Sequence, residues 1–195
     1  IVECSPSDCP LPCALPEASA IEELYRLNGA VDIVRIGTDD DDATHTQFQE
    51  AMLEAPYDVV VLIGHNNYSI PGPDGVSREP TFMWTMRKGK CCVVMSHEDI
   101  VGVFQNAHER HKKHAEHRLS PRLVQLSGCC SNELGAALLR NTDIGAVVAW
   151  STKMLDNVGP DFSSRLHSQL AGDGTFDVHA AFRATRRAIL LKVDS

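Results

Sequence analysis

The chain is predicted to be an α/β protein with a mainly parallel central sheet. Helix-like and strand-like segments alternate almost from end to end, the form taken by βα units. Two of the strand-like segments, at 59–63 and 144–150, are continuous apolar runs rather than alternating ones, as in strands buried on both faces. At 43% hydrophobic and 23% charged over 195 residues, the sequence has enough apolar material for a packed core and too little charge imbalance for disorder.

The elements follow in order. Residues 16–28 place Ala18, Ile21, Leu24, Tyr25 and Leu27 on one helical stripe, with Gly29 as the stop. VDIVRI, 31–36, alternates as a short strand. Asp39 to Asp42 precede a second helix, 43–55, where carboxylates suit the positive helix end; the spacing of a calcium loop is absent. Pro56 stops that helix, and YDVVVLIGH follows as a strand. Residues 66–90 are rich in turn signals from Pro71 to Gly75 and form the longest irregular stretch. CCVVM, 91–95, is a short strand. Ser96 and Asp99 form a capping box that opens a helix over 97–117. LVQLSG (123–128), a helix at 132–141, IGAVVAW (144–150) and two final helices near 160–171 and 177–192 complete the series. A single domain over 1–195 is expected. The start at Ile1 points to a processed product or a piece of a longer chain.

Composition removes several functional classes. The formal charge of −8 disfavours a protein that attracts nucleic acid through a general positive field, so no direct nucleic-acid binding is expected. No apolar run reaches the roughly 18 residues of a membrane span. Seven cysteines, with pairs at Cys91-Cys92 and Cys129-Cys130, fit a disulfide framework badly and point to a reducing cytoplasm. Cys4, Cys9 and Cys13 lack the second half of a zinc site, and no metal site or cofactor is expected. His108, His111, His114 and His117 recur every three residues beside several basic side chains, and read as a solvated helix face. GHNN, GPDG and GDG lack the spacing of phosphate loops, and G-x-S-x-G is absent.

Chemistry concentrates at two strand ends. YDVVVLIG stops at His65, and LVQLSG stops at Cys129 and Cys130. In open parallel sheets, reactive groups gather at the carboxyl edge. If these strands are neighbours, an imidazole meets a thiol, the pairing that a thiolate nucleophile requires. The bland alternative is a buried free cysteine and a loop histidine.

These phrases, in this order, resemble the CHAT domain family, caspase-like peptidases often attached to tetratricopeptide repeats and other sensors. IVECSPSDCPLPCALPEASAIEEL is similar to the family's opening strand, Pro-rich turn and helix. YDVVVLIGH resembles its strand ending in Gly-His, and LVQLSGC its nucleophile strand, "vvLSAC". GAALLRNTDIGAVVAW and the tail resemble the segments that follow. The resemblance implies a three-layer α/β/α sandwich and a cysteine endopeptidase that needs no cofactor. By position, His65 is the base and acid, and Cys129 the nucleophile. The backbone amides of Asn66 and Cys129 are the oxyanion donors. Where the family carries Gly after its histidine, this chain carries Asn66. Trp150 ends a strand beside the expected substrate pocket, as core or as pocket wall. Asp156 either caps the next helix or receives a basic side chain of the substrate. The resemblance also implies protein or peptide substrates and a regulatory sensor domain or partner that orders 66–90 or the segment after Trp150. An inactive CHAT-like scaffold is the competing expectation.

Overall fold

In a computed structural model, residues 1–5, 10–29, 32–37, 43–66, 82–85, 92–113, 119–153, 158–172 and 175–193 are described. They form two compact units. One comprises Ile1–Leu11 with Val34–Met154, the other Pro12–Ile33 with Leu155–Ser195.

The first unit is α/β. Its strands β1 (Val2–Cys4), β2 (Val59–Gly64), β5 (Leu123–Ser127) and β6 (Val147–Val148) make one all-parallel sheet in the order β1-β2-β5-β6. The register runs Val2↔Leu62 to Cys4↔Gly64, then Val59↔Leu123 to Ile63↔Ser127, then Val124↔Val147. Between these strands run α2 (His45–Glu54), α3 (His97–Lys112) and α4 (Asn132–Asn141). Every β-branched or leucine side chain of β2 from Val60 to Ile63 is buried, as its unbroken apolar run requires. Val2, Val60, Leu62, Val124 and Leu126 share a core with Phe48, Met52, Phe104, Leu134 and Leu138 of the three helices. Val61, Ile63, Leu123 and Gln125 alternate with them and are buried on the opposite face.

Local signals set the helix starts. Ser96 Oγ accepts from the amide of Asp99 (3.1 Å), and the Asp99 carboxylate accepts from the amide of Ser96 (3.2 Å). That is the capping box expected from the sequence. A second box, Thr44 with Gln47, opens α2 and was not expected. Asp39 to Asp42 lie outside the described residues.

Two departures concern strands. VDIVRI contributes only an isolated parallel bridge between Ile36 and Val2 among its described residues. The pairing there consists of Ile36 N–H to Ile1 O and Glu3 N–H to Ile36 O, and left-handed Gly37 (φ 85°) then turns the chain away. Conversely, β3 (Phe82–Thr85) falls inside the stretch expected to be irregular. It pairs antiparallel with β4 (Cys92–Met95) in a separate two-stranded sheet, so the expected strand at 91–95 lies outside the main sheet.

The second unit is helical: α1 (Ala14–Leu27), α5 (Val158–Gly172) and α6 (Val178–Val193). α5 packs on both α1 and α6. Its interior carries polar groups. Ser163 Oγ donates to the buried Glu17 carboxylate, and Tyr25 Oη and the Nδ1 of fully buried His167 share a 2.9 Å hydrogen bond. Burial drives the His167 pKa down to about 3 and pushes Tyr25 up to about 12. No helix among the described residues is long and apolar enough to cross a membrane.

Candidate active site at the carboxyl edge of the sheet

β2 and β5 are hydrogen-bonded neighbours running in parallel, so both finish at the same edge of the sheet. The register ends at Ile63↔Ser127. Gly64 and Gly128 come next, followed by His65 and Cys129, and both of these side chains are partly exposed. The condition that the sequence could only pose, adjacency of the two reactive strand ends, is met.

Small residues make the approach close. A Cβ on Gly128 would stand 2.5 Å from the carbonyl oxygen of Gly64 and 3.0 Å from the Cβ of Asn66. A Cβ on Gly64 would stand 2.8 Å from the Phe82 ring and 3.0 Å from the Cβ of Cys4. Glycine at 128 therefore lets the two chains close at the point where they leave the sheet, and glycine at 64 makes room for Phe82 and Cys4.

The turn after β5 is braced from the neighbouring strand end. β6 runs parallel to β5, and the chain beyond it returns three backbone contacts to the turn. The Cys130 amide donates to Thr152 O (3.0 Å), the Asn132 amide to Trp150 O (3.0 Å), and the Trp150 amide to Ser131 Oγ (3.0 Å). Ser131 Oγ in turn donates to Leu126 O at 3.3 Å, and Ser131 is buried. Cys130 itself is left-handed (φ 50°), which reverses the chain sharply between strand and helix. Because its amide is committed to Thr152, Cys130 has no backbone donor to offer a substrate.

The expected residues thus fall into three groups. His65, Asn66, Cys129 and Trp150 come to one edge of one sheet. Trp150 is half-buried, and its backbone has a bracing role that its sequence position did not advertise. Asp156 lies outside the described residues, as do 67–81, 86–91 and 154–157, where the regulatory segments were expected. The histidine series is not the solvated helix face expected from the sequence, because His111 is buried and His108 is partly buried. His111 Nε2 donates to Met52 O (2.9 Å) in the core, and His108 shares a hydrogen bond with Ser120 Oγ (2.9 Å). His114 and His117 lie outside the described residues. No cluster of three metal-ligating side chains occurs among the described residues.

Two features of the site escaped the sequence. Ser131 belongs to no motif in the sequence, and its one signal is its place directly before the helix at 132–141. Asn66 is 6% exposed, and neither polar atom of its side chain has a hydrogen-bond partner among the described residues. It is not among the left-handed residues, so its backbone adopts this position without the freedom of glycine.

A separate cleft of about 610 Å³ lies in the helical unit, among α1, α5 and α6. Small side chains line it, including Ala20, Ser164, Ala184 and Ala188, and Arg165 pairs with Asp161 at 3.1 Å. It contains neither cysteine nor histidine. No protein-family model matches the chain, and no curated protein matches it.

Proposed function

We propose that the protein is a cysteine endopeptidase of the caspase-like, CHAT type, built as a three-layer α/β/α sandwich. One observation carries the reading: parallel pairing of β2 with β5 ends His65 and Cys129 at one sheet edge. His65 takes the proton from Cys129, and the thiolate attacks a peptide carbonyl. The protonated imidazole returns the proton to the leaving amine, and water then hydrolyses the thioester. The backbone amides of Asn66 and Cys129 stabilise the oxyanion. Cys130 is the weaker nucleophile candidate because its left-handed backbone is pinned through its amide to Thr152. The chemistry needs no cofactor.

Substrates are proteins or peptides in the cytoplasm, with a sensor domain or partner controlling access. Trp150 forms one wall of the substrate pocket, and Asp156 lies close to it in sequence. A catalytically silent interaction scaffold is the second reading, favoured by Asn66 in the position where the resembled family has glycine.

A positional-scanning peptide library separates the two. The wild type is expected to cleave, Cys130→Ala to retain cleavage, and Cys129→Ala and His65→Ala to lose it. Cleavage that survives Cys129→Ala refutes the mechanism. Absence of cleavage in every sample favours the scaffold.

A further inference from the structure

Asn66 has a side chain that the proposed mechanism does not use. Its Nδ2 and Oδ1 are both buried, and neither has a hydrogen-bond partner among the described residues. An unpaired buried amide costs about 1–3 kcal/mol for each unsatisfied group. The residue neither caps a described helix nor holds a left-handed turn that would offset that cost. Its place is specific. It follows His65 directly, and its Cβ lies against Gly128, the residue before Cys129. An orphaned donor and an orphaned acceptor therefore belong to a residue that follows His65 and packs against the residue before Cys129.

We propose that the Asn66 carboxamide is a substrate-binding group, with its Nδ2 donating to the carbonyl oxygen under attack and its Oδ1 accepting from the N–H of the same substrate residue. This rests on the cysteine-peptidase reading. In an extended peptide, the N–H and C=O of one residue point to the same side, so one carboxamide can meet both. The bond to oxygen strengthens as the thiolate adds to the carbon and the π pair moves onto oxygen. Collapse of that adduct restores the carbonyl and expels the leaving group with its electron pair, leaving Cys129 S-acylated. The proton from Cys129 stays on His65 until it passes to the leaving group or to solvent. A side-chain donor of this kind is additional to the backbone amide of the same residue, and it gives a reason for asparagine in place of glycine.

N-acetylglycine 4-nitrophenyl ester tests the assignment, since it acylates a thiolate without demanding a particular side chain. The burst of 4-nitrophenolate is followed in the wild type, Asn66→Ala, Asn66→Asp, His65→Ala and Cys129→Ala. Alkylation of Cys129 by iodoacetamide runs in parallel, because that displacement forms no oxyanion. Asn66→Ala is expected to slow acylation by about 10²–10³-fold, the usual cost of losing one oxyanion donor, with alkylation unchanged. Asn66→Asp should be slower still, since it places a negative charge beside a developing one. Acylation of Asn66→Ala at the wild-type rate overturns the inference, as does an equal fall in acylation and alkylation. A wild type whose acylation depends on neither Cys129 nor His65 refutes the peptidase reading itself and takes this inference with it. Dependence on both, with Asn66 inert, refutes this inference alone.

Discussion

Adding one methyl group at Gly128 probes the close approach of the two strand ends. The new carbon would stand 2.5 Å from the Gly64 carbonyl oxygen, whereas real contacts of this kind essentially never fall below 3.0 Å. The strand ends must separate by about 0.5 Å, and the obstacle is backbone, which yields far less readily than the tip of a side chain. Overpacking of this sort costs about 1–3 kcal/mol. Replacing glycine at a compatible φ returns about 0.4–1 kcal/mol through the unfolded chain. The steric cost wins, and Gly128→Ala is expected to lose about 1–2 kcal/mol in urea unfolding followed by circular dichroism. Gly102 in α3 is the control, since a Cβ there meets nothing within 4 Å. Gly102→Ala should gain about 0.5–1 kcal/mol. A Gly128→Ala protein stabilised as much as Gly102→Ala would refute the close approach on which the candidate site depends.

Other outcomes follow from the same structure. Ser131→Ala removes the acceptor of the Trp150 amide and should cost about 1–3 kcal/mol in the same unfolding assay; no loss would mean that the brace is not needed. Ser96→Ala removes a capping box remote in sequence from the site and should cost about 1 kcal/mol while leaving cleavage of the peptide library unaltered. His167 has a folded pKa of about 3, below the ordinary 6.5, so on acidification the unfolded chain takes up the proton first. Its contribution to stability is full above about pH 6.5 and is lost as the pH falls towards 3; His167→Gln should flatten that acid limb in pH-dependent unfolding. Tyr25 behaves oppositely. Its folded pKa near 12 exceeds the ordinary 10, so the contribution is lost as the pH rises through that window, and Tyr25→Phe should flatten the alkaline limb, with Tyr57, also raised by burial, supplying part of what is left.

The sequence revealed the elements more readily than their partners. The alternation of strands and helices, the buried run of β2 and the Ser96 capping box are local, and each could be read within a single segment. β3 was hidden because its four residues, Phe82 to Thr85, are too few to show a period and lie among turn-forming residues. VDIVRI misled for the opposite reason: alternation supplies a strand pattern, but an edge segment needs a backbone ladder along its length, and among the described residues the β-bridge is confined to Ile36. At the site, His65 and Cys129 stood out by residue type. Their meeting depended on strand order, which is set by packing across the chain and not by either segment. The Asn66 orphan and the Tyr25–His167 pair depend on contacts between distant parts of the sequence, which a local pattern cannot encode.

The interleaving of the two units has a consequence for how the protein is made. α1 is synthesised early, but α5, on which it packs, is encoded only after the whole of β2 to β6 has been made. Until then, the apolar stripe through Ala18 and Ile21 lacks its partner, a state that invites aggregation or chaperone capture on the ribosome. Contacts so far apart in sequence also slow folding. A fragment cut after Met154 would keep every strand of the parallel sheet yet leave α1 permanently unmatched, so removing residues 12–33 along with the tail is the better route to an isolated sheet unit.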